Sequence, residues 1–125
     1  MIKLRIAAFA AAISLVLPSF SEGFSMAILE AMAAKLPVLM TRGCNFSEAA
    51  EAGAAIEVEP TVESTERGLR ELLSMSDAQR REMGQIGRRL MEDRYTWEAV
   101  ACEMMQLYEW LAGGGSRPGF VQTIQ

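Results

Sequence analysis

Leu17-Pro18-Ser19-Phe20-Ser21-Glu22-Gly23-Phe24-Ser25-Met26-Ala27-Ile28-Leu29-Glu30-Ala31-Met32-Ala33 is the stretch whose reading decides the fold. It opens at the end of a short apolar run, Leu15-Val16-Leu17, which Pro18 stops. A brief polar loop holding Glu22 and Gly23 follows. From Ser25 the residues are strong helix formers, so the segment reads as strand, tight loop, helix. In an open α/β sheet, that carboxyl edge of the strands is where ligands bind. The following helix N-terminus presents free N–H groups and the positive end of a dipole, a setting suited to a diphosphate. Gly23 lets the backbone approach a ligand that a side chain would hold off. Glu22 falls at the mouth of the loop and Glu30 is expected about two turns into the helix, so the two acids can contact different ends of one extended ligand.

The same alternation continues outward. Residues 6–13 are alanine-rich and predict a helix ahead of the first strand, both of them buried. After the helix from Ser25 to Lys35, Pro37 precedes a second apolar triplet, Val38-Leu39-Met40. Gly43 to Phe46 turns the chain, Ser47 to Ala52 makes a short helix closed by Gly53, and Ala55-Ile56-Glu57-Val58 gives a third strand. Continuously apolar strands separated by helices point to a parallel sheet covered on both faces. Beyond Pro60 the pattern is helical. Thr61 or Ser64 caps a helix carrying Leu69, Leu72 and Leu73. Ser76 and Gln79 form a capping box for residues 77–93, with Met83, Ile86, Leu90 and Met91 as the apolar stripe. Thr96 caps a last helix, where Trp97, Val100, Ala101, Met104, Leu107, Tyr108 and Leu111 are expected to pack into a core. The fold class is therefore α/β: a partial Rossmann-like domain over residues 1–112, with about three parallel strands and a helical C-terminal half, then a flexible tail over 113–125. Three parallel strands leave two open edges, which is unusual for a self-sufficient doubly wound domain.

Composition removes several classes of function. A chain of 125 residues, half of them apolar and 22% charged, has the balance of one globular domain rather than a disordered chain. A net charge of −4 argues against nucleic acid, whose phosphates require a basic face. There is no histidine, which excludes histidine acid/base catalysis, Ser-His and Cys-His triads, and the commonest zinc ligand. Cys44 and Cys102 have no metal-type spacing and read as two lone buried thiols. No metal or cofactor is expected. Arg80, Arg81, Arg88 and Arg89 read as a solvated face, with anionic lipid headgroups as the alternative contact.

Glu22 and Glu30, in the wording L-P-S-x-S-E-G-F … E-A-M-A, resemble the E-x7-E signature of retaining glycosyltransferases with the GT-B architecture, the family called glycosyl transferases group 1. The similarity continues through Lys35-Leu36-Pro37-Val38, Thr41, Cys44-Asn45-Phe46-Ser47-Glu48 and Arg94-Tyr95-Thr96-Trp97, and covers about residues 9–111. The resemblance implies the C-terminal, donor-binding part of such an enzyme. Glu30 would hydrogen-bond the nucleotide ribose, and the loop at Glu22, Gly23 and Phe24 would meet the donor hexose. The N–H groups of Phe24, Ser25, Met26 and Ala27 would lie near the diphosphate. Glu22 would act on the sugar by orientation or charge, in the catalytic role. Stabilising the departing diphosphate carries much of the catalysis in such a reaction.

The implied partners are a nucleotide diphosphate sugar and a glycan or lipid-linked acceptor, in the cytoplasm or at the cytoplasmic face of a membrane. The sequence also departs from the family pattern. Ile13 stands where members usually carry Asp, and Ser47 where many carry Pro. The Arg and Lys that grip the diphosphate, and the acceptor domain, belong upstream of residue 1, so the isolated chain is expected to bind donor weakly and to transfer nothing measurable. Two other readings stay open. One is a non-catalytic module that dimerises or complements another chain through an open sheet edge. The other is a secreted helical protein, in which Met1-Ile2-Lys3-Leu4-Arg5 and the apolar run to Leu17 form a signal peptide.

Overall fold

The computed structural model describes residues 2–122. They form two compact units that divide between Glu92 and Asp93. In the first unit, helix α1 (Ile2–Ala11) leads into strand β1 (Leu15–Leu17), α2 (Met26–Ala33), β2 (Val38–Thr41), a 3₁₀ turn at Arg42–Cys44, α3 (Ser47–Glu51), β3 (Ala55–Val58) and α4 (Val62–Ser74). Helix α5 (Asp77–Arg94) closes this unit, and α6 (Trp97–Leu111) dominates the second. The expected α/β class is what forms: one sheet in the order β1-β2-β3, parallel throughout. Leu15 pairs with Val38 and Val38 with Ala55, so the three strands start level. β2 is the central strand, and all four of its residues are buried, as a parallel strand covered on both faces requires.

Small residues set how closely the helices approach. α4 packs on β2 and β3 through Gly68, where a Cβ would sit 2.7 Å from Leu39 Cδ1 and 3.0 Å from Val58 Cγ1. α5 meets the end of α2 through two glycines. Gly84 lies against the Lys35 carbonyl, and Gly87 against Met32 and Ala54. α2 itself ends in a Schellman turn: Leu36 N donates to Ala31 O at 2.9 Å and Lys35 N to Met32 O at 2.9 Å, with Lys35 at φ 60°. α3 closes in the same way, with Gly53 at φ 83°, the position at which the sequence ends this helix.

The predicted caps are present. The Ser64 amide donates to Thr61 Oγ1 at 3.2 Å, so Thr61 rather than Ser64 starts α4. Ser76 and Gln79 make the reciprocal box, Ser76 N to Gln79 Oε1 at 2.8 Å and Gln79 N to Ser76 Oγ at 3.2 Å. Thr61→Ala removes one such cap from a helix that lies on the sheet. The expected cost is about 1 kcal/mol, read as a lower urea midpoint at unchanged slope. A Thr61→Ala midpoint equal to the parent's would show that the cap does not hold α4.

Four expectations about burial need correction. α1 forms, but at Ile2–Ala11 rather than 6–13, and its described side chains are not buried: Lys3, Leu4, Arg5, Ala7, Ala8, Ala10 and Ala11 are exposed and Phe9 is half-buried. In the second unit Thr96 caps α6 as expected, yet the helix buries no residue, and Trp97 is 88% exposed. Val100, Ala101, Met104, Tyr108 and Leu111 are exposed with it and Leu107 is half-buried, so the stripe is an apolar face rather than core packing. Of the two thiols only Cys44 is buried, and Cys102 is exposed. Among the arginines, Arg80 is no solvated residue, because its guanidinium donates to the carbonyls of Leu72, Leu73 and Met75 at the end of α4. Arg88 likewise donates to Ala33 O at the end of α2. Cations that satisfy the last carbonyls of a helix are structural. Residues 113–122 carry no helix or strand, and the last three residues of the expected tail lie outside the described residues, as does Met1 of the alternative signal peptide. No helix among the described residues is long and apolar enough to cross a membrane.

Candidate functional site

The loop from Pro18 to Ser25 leaves the carboxyl end of β1 and is stitched to the neighbouring loop, which leaves β2. Thr41 Oγ1 donates to Ser19 O, and the Cys44 thiol to Leu17 O at 3.5 Å. Glu22 N donates to Gly43 O at 2.7 Å, and Asn45 Nδ2 donates back to Glu22 O at 2.8 Å. Asn45 reaches this position in the left-handed region, at φ 52°, a conformation that asparagine tolerates better than most side chains. Gly43 is required by close approach, since a Cβ there would fall 2.4 Å from Phe20 O. The two loops therefore share backbone contact, and the Glu22 peptide is held on both its N–H and its C=O. A loop fixed in this way can present a side chain without first paying for its ordering.

The following turn is open towards solvent. Ser25 is the N-cap of α2 and is buried, but its side chain makes no cap hydrogen bond. The first intrahelical bond comes from Leu29 N to Ser25 O, so the amides of Met26, Ala27 and Ile28 have no partner within the helix. A Cβ on Gly23 would meet nothing within 4 Å, which leaves space beside the loop for an incoming molecule. The Phe24 ring stacks at a tilt on Phe46, with centroids 5.2 Å apart, and pins the end of the loop to the start of α3. Met26 is 63% exposed and Ala27 half-buried. Five of the seven expected site residues, Glu22 through Met26, thus lie in one continuous, locally clasped segment, with Ala27 one residue further on.

Glu30 is placed differently from expectation. It is the fifth residue of α2, nearer one turn than two from the helix start, and its Oε1 pairs with Arg5 Nη2 of α1 at 3.1 Å. Two arginines within the chain lie near the expected site: Arg5 at Glu30, and Arg42 at the end of β2, where it pairs with Glu59 at 3.1 Å and Glu57 at 3.8 Å. Of the clasp residues, Gly43 and Asn45 fall in the turn that the sequence predicts, and Thr41 and Asn45 belong to the stretch that resembles the family, but nothing in the sequence joins them to Glu22. The one signal for them was Gly43 with Asn45, a pair suited to tight approach and left-handed backbone. A mainly apolar groove of about 420 Å³ opens beside the same edge, lined by Pro18, Phe20, Pro60, Val62 and Leu69 together with Glu66, and includes neither Glu22 nor Glu30.

The α/β fold, a three-stranded parallel sheet with flanking helices, matches the C-terminal domain of the GT-B glycosyltransferase architecture. The sequence pattern described as glycosyl transferases group 1 matches residues 5–90, and the chain belongs to that family. Among solved structures it is similar to sucrose-phosphate synthase from Thermosynechococcus elongatus, with 28% identity and a TM-score of 0.71 over 85% of this chain and 27% of that one. It is also similar to WaaG, a glycosyltransferase involved in lipopolysaccharide biosynthesis, with 25% identity and a TM-score of 0.59 over 86% of this chain and 28% of that one. The chain thus spans little more than a quarter of either structure. No curated protein sequence matches it significantly.

Proposed function

We propose that this chain is the donor-binding portion of a retaining glycosyltransferase, which takes a nucleotide diphosphate sugar and passes a hexose to a glycan or lipid-linked acceptor held by another domain. The observation that supports this best is the clasped Glu22 loop running into the uncapped start of α2. The amides of Phe24 to Ala27 serve the diphosphate, where oriented N–H donors at a helix start favour negative charge. As the bond to the sugar breaks, charge builds on the departing diphosphate, and donors already in place stabilise it without reorganising. Glu22 orients the hexose or stabilises positive charge developing at its ring, and Glu30 accepts hydrogen bonds from the ribose hydroxyls. No metal is required by this arrangement. The isolated chain binds donor weakly and transfers no sugar, because the acceptor side is supplied by another domain.

The test is a thermal melt of the purified chain with UDP- and GDP-sugars. One of the two sets is expected to raise the melting temperature through mass action on the folded state, and Glu30→Ala to abolish the rise. Protection that survives Glu30→Ala would remove the ribose role from Glu30, and no protection by either set would count against donor binding. A second reading, association through exposed surface, is favoured by the apolar face of α6. Light scattering that shows a dimer, unchanged by any nucleotide, would support it.

A further inference from the structure

Helix α1 exposes nearly all its described side chains, yet one of them reaches the candidate site: Arg5 Nη2 stands 3.1 Å from Glu30 Oε1. We propose that Arg5 is a positioning residue, which holds the Glu30 carboxylate in the orientation that accepts a vicinal diol and offsets its charge as an anionic donor arrives. This rests on the donor reading given above. The contact is an ion pair between Nη2 and Oε1, and a carboxylate offers about four acceptor directions. A single cationic partner leaves acceptor directions of the carboxylate available to a ribose hydroxyl. Arg5 therefore does not have to leave when a nucleotide binds. It removes rotamer freedom from a long side chain that would otherwise lose it on binding.

Charge points the same way. The chain carries a net −4, and the expected donor-facing segment holds two carboxylates, Glu22 and Glu30. A diphosphate approaching them meets repulsion unless a cation is close by. Arg42, at the same sheet edge, is already committed to Glu57 and Glu59. Arg5 sits directly on one of the two acids. Its side chain is 57% exposed and that of Glu30 30%, so the pair is screened and adds little to folding. Its effect belongs in ligand affinity and selectivity instead of stability.

The experiment titrates the full chain, ¹⁵N-labelled, with UDP and GDP and with their 2′-deoxy counterparts, and follows amide shifts. Five proteins are compared: the parent, Arg5→Ala, Arg5→Lys, Glu30→Gln and the Arg5→Ala/Glu30→Gln double variant. For the nucleotide that binds, Arg5→Ala is expected to raise Kd roughly two- to fivefold, the range an exposed ion pair can supply. It should also narrow the preference for ribose over deoxyribose, a readout that loss of helix packing alone would not move. Arg5→Lys should restore affinity in part, and Arg5→Ala should do nothing further once Glu30 is Gln. Unchanged or tighter binding by Arg5→Ala would overturn the inference, as would an equal loss in the Glu30→Gln background. A parent chain that binds neither nucleotide overturns the donor reading itself, and this inference with it.

Discussion

Replacing Gly84 by alanine is expected to unfold most of the first unit or to leave it barely stable. A Cβ at Gly84 would lie 1.9 Å from the Lys35 carbonyl oxygen and 2.6 Å from its carbon. Both atoms belong to backbone, and that backbone is the Schellman turn that closes α2, with Lys35 already at φ 60°. Neither side can yield by a rotamer change. α5 would have to retreat by roughly 1 Å, which also opens the contact of Gly87 with Met32 and Ala54 and forfeits close packing along the whole seam. Overpacking a core costs about 1–3 kcal/mol where side chains can adjust, and more is expected where only backbone can. A domain of this size has on the order of 5–10 kcal/mol of stability to lose. Urea unfolding followed by circular dichroism measures the effect, with Gly23→Ala as the control, since a Cβ there meets nothing within 4 Å. A Gly84→Ala chain as stable as the Gly23→Ala control would mean that α5 does not pack on the end of α2 in this way.

That contact illustrates what could be read along the chain and what could not. The strands were legible because β2 is covered on both faces, and such a strand has to be apolar at every position. The caps were legible because each joins residues three apart, as in Thr61 with Ser64 and Ser76 with Gln79. The burial of α1 and α6 was not legible. Periodicity shows that one face of a helix is apolar, but not whether anything covers it, and Trp97 is 88% exposed on a stripe that reads as core. Long-range polar contacts were equally silent. Arg88 bonds the Ala33 carbonyl 55 residues away, and a row of arginines on a helix looks solvated until its partner is placed. The candidate site divides along the same line. Glu22 through Ala27 follow one another in sequence and were found together, whereas Arg5, Thr41, Gly43 and Asn45 join them only through the fold.

The clasp gives the second large expected effect, on ligand binding more than on folding. In Gly43→Ala the new Cβ would stand 2.4 Å from Phe20 O, 2.5 Å from Phe20 C and 2.6 Å from Ser19 O, so the two loops must part. Parting them breaks the bond from Glu22 N to Gly43 O and the one from Asn45 Nδ2 to Glu22 O. The strands and helices beneath keep their own hydrogen bonds, because Glu22, Gly43 and Asn45 lie beyond the ends of β1 and β2. Far-UV circular dichroism should therefore change little, while binding of the nucleotide diphosphate falls on the order of tenfold to a hundredfold, the penalty for displacing positioned groups by about 1 Å. Asn45→Gly grades the argument. It keeps the left-handed backbone at φ 52° and deletes only the side-chain donor, so its loss of affinity should be smaller and its stability close to the parent's. If Gly43→Ala binds nucleotide as the parent does while Glu30→Ala does not, the Glu22 loop takes no part in holding the donor, and the contact surface must be moved along α2 towards Glu30.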